Sequence, residues 1–300
     1  MELFLNLCVS GLTKGSIYAL IALGYTMVYG IIALINFAHG EIYMIGAFTA
    51  LIFSMVLGAL GLTGWGLLFA SGSLAVVYCA MYGWTLEKVA YKPLRGQSRL
   101  APLISAIGMS IFLQNYVQLV QTPNVLSFPD LIPDIGFLSG LRGLASKTQL
   151  AILAATAVSM VALTLFIKNT RIGMAMRAVS QDPTMARLAG VNIDKVISTT
   201  FIIGSMLAAV GGLLIGNYGR QMDFFIGFLA GMKAFTAAVL GGIGSIPGAV
   251  VGALVLGFSE SFAAGYISSD YEDVVAFVLL ILILTLRPDG IMGSATTQKV

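Results

Sequence analysis

GSIYALIALGYTMVYGIIALINFAHGEIYMIGAF, residues Gly15 to Phe48, decides the fold. Residues 15–35 contain no charged side chain, and a helix needs ~20 apolar positions to cross a hydrocarbon core of ~30 Å. A short polar interruption follows, and a second apolar run begins at 41. Working outward, windows of the same kind, bounded by charge or turn residues, fall at 41–60, 64–84, 101–121, 149–167, 196–217, 225–243, 248–265 and 274–287. With the first they number nine. Residues 1–13 form a further partial window, and interrupted or re-entrant windows widen the range to eight to ten. The expected fold is all-α: one polytopic transmembrane domain over residues 1–300 with about nine spanning helices.

Composition agrees. Of 300 residues 58% are hydrophobic and only 10% charged, with a mean hydropathy of +0.95, which excludes a water-exposed globule. A net charge of +3 is too small for a nucleic-acid footprint, so nucleic acid is not an expected partner. Cys8 and Cys79 lie among apolar residues, with neither disulfide nor metal-ligand spacing, and are read as packing residues. The N-terminus lacks the basic region of a cleavable signal peptide and is expected to be retained.

Basic residues orient the spans. Loop 85–100 carries Lys88, Lys92, Arg95 and Arg99, and loop 168–195 carries Lys168, Arg171, Arg177, Arg187 and Lys195, which makes both cytoplasmic. Loop 122–148 mixes Arg142 and Lys147 with Asp130 and Asp134, and loop 266–273 has Asp270, Glu272 and Asp273 without a basic residue, so these face outward. The C-terminus, with Arg287 and Lys299, then falls in the cytoplasm, and an odd count of nine puts the N-terminus outside.

Four segments carry chemistry. QDPTMARLAG (Gln181 to Gly190) reads as a short water-soluble helix: Asp182 is a good N-cap, Pro183 suits the first helical position, and Gly190 ends the helix. Met185, Leu188 and Ala189 share one face, away from Thr184 and Arg187. So short a helix needs something to pack on: this protein's own helix ends, lipid headgroups, or a cytoplasmic partner. INFAHGEIYM (Ile35 to Met44) holds the lone histidine, His39, beside Glu41; titratable groups at membrane depth are functional candidates, whereas Asn36 and Gly40 also fit a helix break and cap at the membrane boundary. One histidine and one carboxylate are far short of a metal set or a catalytic triad. GGIGSIPGAVVGAL (Gly241 to Leu254) is a second interrupted run, with Gly244, Pro247 and Gly248. Paired interruptions in two halves point to a solute path in secondary transporters, and the same logic is applied here by analogy. Lys233 and Glu260 either pair across neighbouring helices or sit near the outer face, Lys233 snorkelling outward. Gln114, Asn115 and Gln118 suit interhelical hydrogen bonds. YKPLRGQSRL (Tyr91 to Leu100) reads as a solvated basic loop facing anionic lipid or a partner.

AMRAVSQDPTMARLAGVNIDKV (Ala175 to Val196) resembles the cytoplasmic coupling loop of permease subunits of binding-protein-dependent ABC importers, with Ala178, Ala186 and Gly190 in the places of its small residues. Gly15 to Phe48, LISAIGMSIFLQN (Leu103 to Asn115) and GMKAFTAAVLGGIGSIPGAVVGALVLG (Gly231 to Gly257) resemble the permease subunits of high-affinity branched-chain amino acid importers, a likeness that runs from about residue 11 to 293. The resemblance implies transport of leucine, isoleucine and valine across a bacterial cytoplasmic (inner) membrane. It implies two ATP-binding cassette ATPase subunits docked on Asp182, Pro183, Met185, Ala186, Arg187, Leu188 and Gly190, a second homologous permease, and a periplasmic or surface substrate-binding protein. The chain has no G-x-x-x-x-G-K-[ST] motif, so no cofactor is expected in it and ATP is expected in the partner subunits. Asn36, His39, Glu41, Lys233, Gly244, Pro247, Gly248 and Glu260 are the pathway candidates. The other reading is a stand-alone channel or secondary transporter for a small apolar solute. An intramembrane enzyme lacks a convergent nucleophile, base or metal set.

Overall fold

The structure, a computed structural model, describes residues 2–98, 100–133 and 145–293. Arg99, Asp134, Arg142 and Lys299 of the topology argument lie outside these residues. Helices α1 (Glu2–Ile32), α2 (His39–Ala59), α3 (Gly64–Leu86), α4 (Leu100–Val120) and α5 (Lys147–Asn169) are followed by two short ones, α6 (Arg171–Gln181) and α7 (Pro183–Leu188). Then come α8 (Ile193–Gly219), α9 (Ile226–Gly241), α10 (Ile246–Tyr266) and α11 (Glu272–Leu286). A π-helical turn over Glu87–Tyr91 and a 3-10 turn over Lys92–Leu94 prolong α3. The sole sheet among the described residues pairs β1 (Leu126–Ser127) antiparallel with β2 (Gln221–Met222), Leu126 opposite Met222. The fold is all-α, as the hydropathy pattern requires.

Each of the nine apolar windows is helical over most of its length, but among the described residues seven helices are long and apolar enough to cross a membrane. Helices α9 and α11 have 16 and 15 residues, or roughly 24 and 22 Å at ~1.5 Å per residue, short of a ~30 Å core. The chain beyond α11 folds back to cover the exposed end of α9: Ile291 and Met292 donate their backbone N–H groups to the carbonyls of Leu240 and Gly241, both at 2.9 Å. Backbone that is not helical is thus paired inside the protein. The first window is corrected. Lys14 bounds it in the sequence, yet α1 runs unbroken through Lys14, whose ammonium lies 2.7 Å from Glu272 at the start of α11.

Helices α1, α2, α8, α9 and α10 form the interior, while α3, α4, α5 and α11 turn broad apolar faces outward. Small residues set the closeness of α1 and α10: a methyl added at Gly15 would come within 2.9 Å of the Ala253 carbonyl oxygen, and one at Gly11 within 2.9 Å of Phe258 Cα. In lipid, where apolar surface gains nothing by leaving its solvent, such backbone approach is a main source of helix association. Phe4 stacks on Phe262 with ring centroids 5.7 Å apart, so the N-terminus lies at the same end as the 267–271 connection. The basic segments gather at the other end, where Lys92 reaches Asp194 at 3.2 Å.

Candidate functional site

The interruption after α1 is made by Ala33, held at φ +52°, a non-helical stretch over 34–36 and a turn at Phe37 and Ala38. Helix α2 then starts at His39 without a side-chain cap. Asn36 is therefore not the cap expected of it: its Oδ1 accepts a hydrogen bond from the Tyr91 hydroxyl at 2.8 Å, while its backbone carbonyl accepts from the His39 N–H at 3.0 Å. The stretch is enclosed by the protein. His39 and Glu41 are each 1% exposed. The His39 imidazole fills the space left by the missing side chain of Gly24 and meets Tyr25 edge-on, ring centroids 5.0 Å apart. Glu41 sits between two helices: Oε1 accepts from the Ser110 hydroxyl of α4 at 2.9 Å, and Oε2 lies against Gly227 of α9 without a partner.

Beside this carboxylate is a cavity of about 330 Å³, lined from α1 and the interruption by Tyr25 and Phe37, from α4 by Ile107, Ser110, Ile111 and Gln114, and from α9 by Phe228, Gly231 and Met232 with Phe225 just before it. The α4 positions repeat at i, i+3, i+4 and i+7, one continuous helix face. That spacing was present in the sequence, but nothing in hydropathy distinguishes a cavity wall from a lipid face. Gln114 lines the cavity with its amide nitrogen unpartnered, whereas Asn115 donates to Ile111 of its own helix at 2.8 Å and makes no interhelical bond.

The other pathway candidates do not converge here. Gly244 lines a smaller cavity of about 140 Å³ toward Gly30 and Arg177. Gly248 donates its N–H to the capping Ser245 at 3.2 Å, with Pro247 in the same first turn of α10. Lys233 and Glu260 form a third group. Lys233 Nζ lies 3.2 Å from Glu260 Oε1 and 2.7 Å from Asp273, and the Tyr18 hydroxyl donates to Glu260 Oε2 at 2.7 Å. Pairing across helices is observed, with Glu260 fully buried, and the contact with Asp273 also sets Lys233 beside the acidic 266–273 segment.

At the basic end α6 and α7 form two short helices where one had been expected. Asp182 caps α7 through its Oδ1, which accepts from the N–H groups of Thr184 and Met185 at 2.8 and 3.0 Å. Gly190 at φ +83° closes it: the Val191 N–H returns to the Ala186 carbonyl and the Gly190 N–H to Arg187, both at 3.0 Å, the pairing that satisfies terminal carbonyls when a left-handed residue ends a helix. Within this chain the apolar side of α7 is exposed. Ala186 is buried, whereas Met185 and Leu188 are 62% and 76% exposed; Pro183, Arg187 and Ala189 are exposed as well. Segment 91–100 is not a free basic loop either. Arg95 bridges the fully buried Glu87 and Asp194, and the Ser198 hydroxyl donates to Glu87 at 2.7 Å. Among the described residues no cluster of three His, Cys, Asp or Glu side chains could hold a metal ion.

Comparison with known proteins adds the family. Residues 7–284 match the family described as branched-chain amino acid transport system, permease component. The chain is 50% identical, over 99% of its length and 98% of the relative's, to the high-affinity branched-chain amino acid transport system permease protein LivH of Escherichia coli (strain K12). It is equally similar, at 50% over the same shares, to the permease protein BraD of Pseudomonas aeruginosa. A weaker likeness, 26% identity over 95% of this chain and 70% of the relative, links it to the E. coli permease protein LivM. No solved structure matches.

Proposed function

The chain belongs to the branched-chain amino acid transport permease family, and from that membership we propose that it forms part of the membrane path by which an ATP-driven importer moves leucine, isoleucine and valine into the cell. It is a multi-pass membrane protein and a transport subunit of a binding-protein-dependent importer rather than an enzyme. The observation that carries the reading is near-complete alignment at 50% identity with permease proteins of one transport system.

In this reading the chain lies in a bacterial cytoplasmic membrane with α6, α7 and the C-terminus in the cytoplasm, where the positive-inside rule places Lys168, Arg171, Arg177 and Arg187. Two ATPase subunits supply the nucleotide site that this sequence lacks, and one of them receives α7. Asp182 and Pro183 start that helix, Gly190 ends it, Ala186 seats it, and Met185, Arg187 and Leu188 face the partner. Exposed apolar side chains on a capped, seated helix support a partner in water, because nothing else among the described residues covers them. A second, homologous permease completes the path, as the likeness to LivM favours, and an external binding protein delivers the solute.

The test is co-purification of the tagged chain from its native host, with mass spectrometry of its companions and ATPase activity measured with and without leucine-loaded binding protein. One or two P-loop ATPases, a second permease and leucine-dependent stimulation are expected. A lone chain that still moves solute in liposomes overturns the reading in favour of a self-sufficient transporter.

A further inference from the structure

We propose that the 330 Å³ cavity between α4 and α9 is a transit site for the zwitterionic amino acid, with its ammonium drawn to Glu41 Oε2 and its branched side chain held by Ile107, Ile111, Phe228 and Met232. The inference rests on the importer reading above and assigns the solute to a place within this chain.

The chemistry of the walls argues for this occupant. Apolar residues from two helices dominate, which suits an aliphatic side chain, and a cavity of this size lies at the small end of the ~300–1,000 Å³ typical of ligand pockets. A lipid tail would fill it as well, but a tail offers nothing to the polar groups. Glu41 is 1% exposed, its carboxylate has one oxygen on Ser110 and the other unpartnered, and no cation lies within ion-pair distance of it among the described residues. The Gln114 amide nitrogen is buried and unpartnered on the same α4 face. Buried polar groups without partners are costly and mark places where a partner arrives. An amino acid brings both: an ammonium for the carboxylate and a carboxylate for the amide N–H. Elsewhere in the interior the carboxylate of Glu260 has Lys233, whereas Glu41, which stands behind the cavity-lining Ser110, has no cation among the described residues. The missing side chain of Gly231 leaves room on the α9 wall of the cavity, and that of Gly227 lets the α9 backbone lie against Glu41 Oε2. A methyl at Gly227 would come 2.6 Å from Glu41 Oε2, and one at Gly231 3.2 Å from the Tyr25 hydroxyl.

The experiment uses the complete importer in proteoliposomes, in a Cys8→Ala, Cys79→Ala background that removes the native thiols. Gln114→Cys, and separately Phe228→Cys, is treated with a small water-soluble cationic thiol reagent, with and without leucine and its binding protein. Modification from water, slowed at least fivefold by leucine, is expected. Glu41→Gln, which keeps an acceptor for Ser110, is expected to lower leucine uptake at least tenfold while loaded binding protein still stimulates ATP hydrolysis. Thiols that react only with a lipid-soluble maleimide, or equally with and without leucine, make the cavity a lipid or subunit contact and overturn the proposal even though uptake persists. Full-rate uptake by Glu41→Gln overturns the role of the carboxylate. Absence of coupled uptake in the background protein overturns the importer reading and the transit site together.

Discussion

Replacing Lys233 by Met tests how the interior tolerates charge. The Lys233 side chain is 11% exposed and Glu260 fully buried, so the substitution leaves a buried carboxylate with the Tyr18 hydroxyl as its remaining partner. Breaking a buried pair from one side costs about 3–5 kcal/mol, because the surviving charge is uncompensated. The contact with Asp273 adds little, since that carboxylate is half exposed and exposed pairs are worth ~1 kcal/mol or less. At ~1.4 kcal/mol per decade, the folded-to-unfolded ratio should fall by roughly two to four orders of magnitude. Adding Glu260→Gln removes the orphaned charge and should recover more than half of the loss, which makes the double-mutant cycle strongly non-additive. The assay is reversible unfolding by SDS in mixed micelles, followed through the two tryptophans, Trp65 and Trp84, both on α3. A Lys233→Met cost under about 1 kcal/mol, within the range of exposed pairs, combined with additive behaviour would refute the picture of a desolvated pair pinning α9 to α10.

Asp182→Ala removes the acceptor of two N–H groups at the start of α7 and should destabilise that helix by about 1 kcal/mol, seen as faster amide exchange at Thr184 and Met185 with membrane insertion unchanged. Gly190→Asp forces a side chain into the left-handed region at φ +83° and should leave the protein inserted but uncouple ATP hydrolysis from uptake; normal uptake at normal abundance would count against docking through α7. Burial alone would raise the Asp130 carboxyl, but hydrogen bonds from Lys147 and Arg220, reinforced by their charges, hold it below the usual carboxylate range. Its folded value being lowered, the stabilisation it provides is present above the ordinary carboxylate value of about 3.9 and is lost as pH falls through the lowered one. Protection of the Phe128 N–H, which bonds the Arg220 carbonyl at 2.9 Å, should therefore drop below about pH 4 in native protein and be pH-independent in Asp130→Asn.

The sequence displayed the helices because their period and length follow directly from the thickness of a bilayer. It misjudged particular elements where tertiary pairing decides. Lys14 looked like a boundary because a lone lysine is costly in lipid, and its partner Glu272 stands 258 positions away. Asn36 looked like a cap because asparagine favours that role, but the Tyr91 hydroxyl claims its oxygen. On α7 the apolar residues were legible, but what they face was not. A helix of six residues carries no information in its own periodicity about which side meets its own protein, and the small Ala186 can approach the neighbouring helices more closely than Met185 or Leu188. His39 and Glu41 were legible as misfits in an apolar run. Ser110, Phe228 and Met232 were not, since an apolar residue facing a cavity and one facing lipid are spelled alike.

What separates framework from path in this interior is whether a polar group has already found its partner. Lys14 with Glu272, and Lys233 with Glu260 and Asp273, join helices that would otherwise be held by apolar contact alone, and Glu87 with Arg95 and Asp194 does the same at the basic end. In each set the charges are answered within the protein, and breaking the latter two leaves the fully buried carboxylate of Glu260 or Glu87 without its cation. Thr26, Asn36, His39 and Glu41 differ. Each leaves a buried polar atom without a hydrogen bond, and all four lie within one short stretch around the interruption between α1 and α2. They are four of eight such residues among the described residues; the other four, Gln114, Ser205, Glu260 and Ser261, lie on α4, α8 and α10, with Gln114 on the wall of the larger cavity. Glu260 confirms the distinction from the other side. Its Oε1 makes no well-directed hydrogen bond, yet it lies 3.2 Å from an ammonium, so its charge is answered within the protein; the charge of Glu41 is not. The segment that opens the chain's first interruption is thus the least self-sufficient part of the interior, and it adjoins the larger cavity.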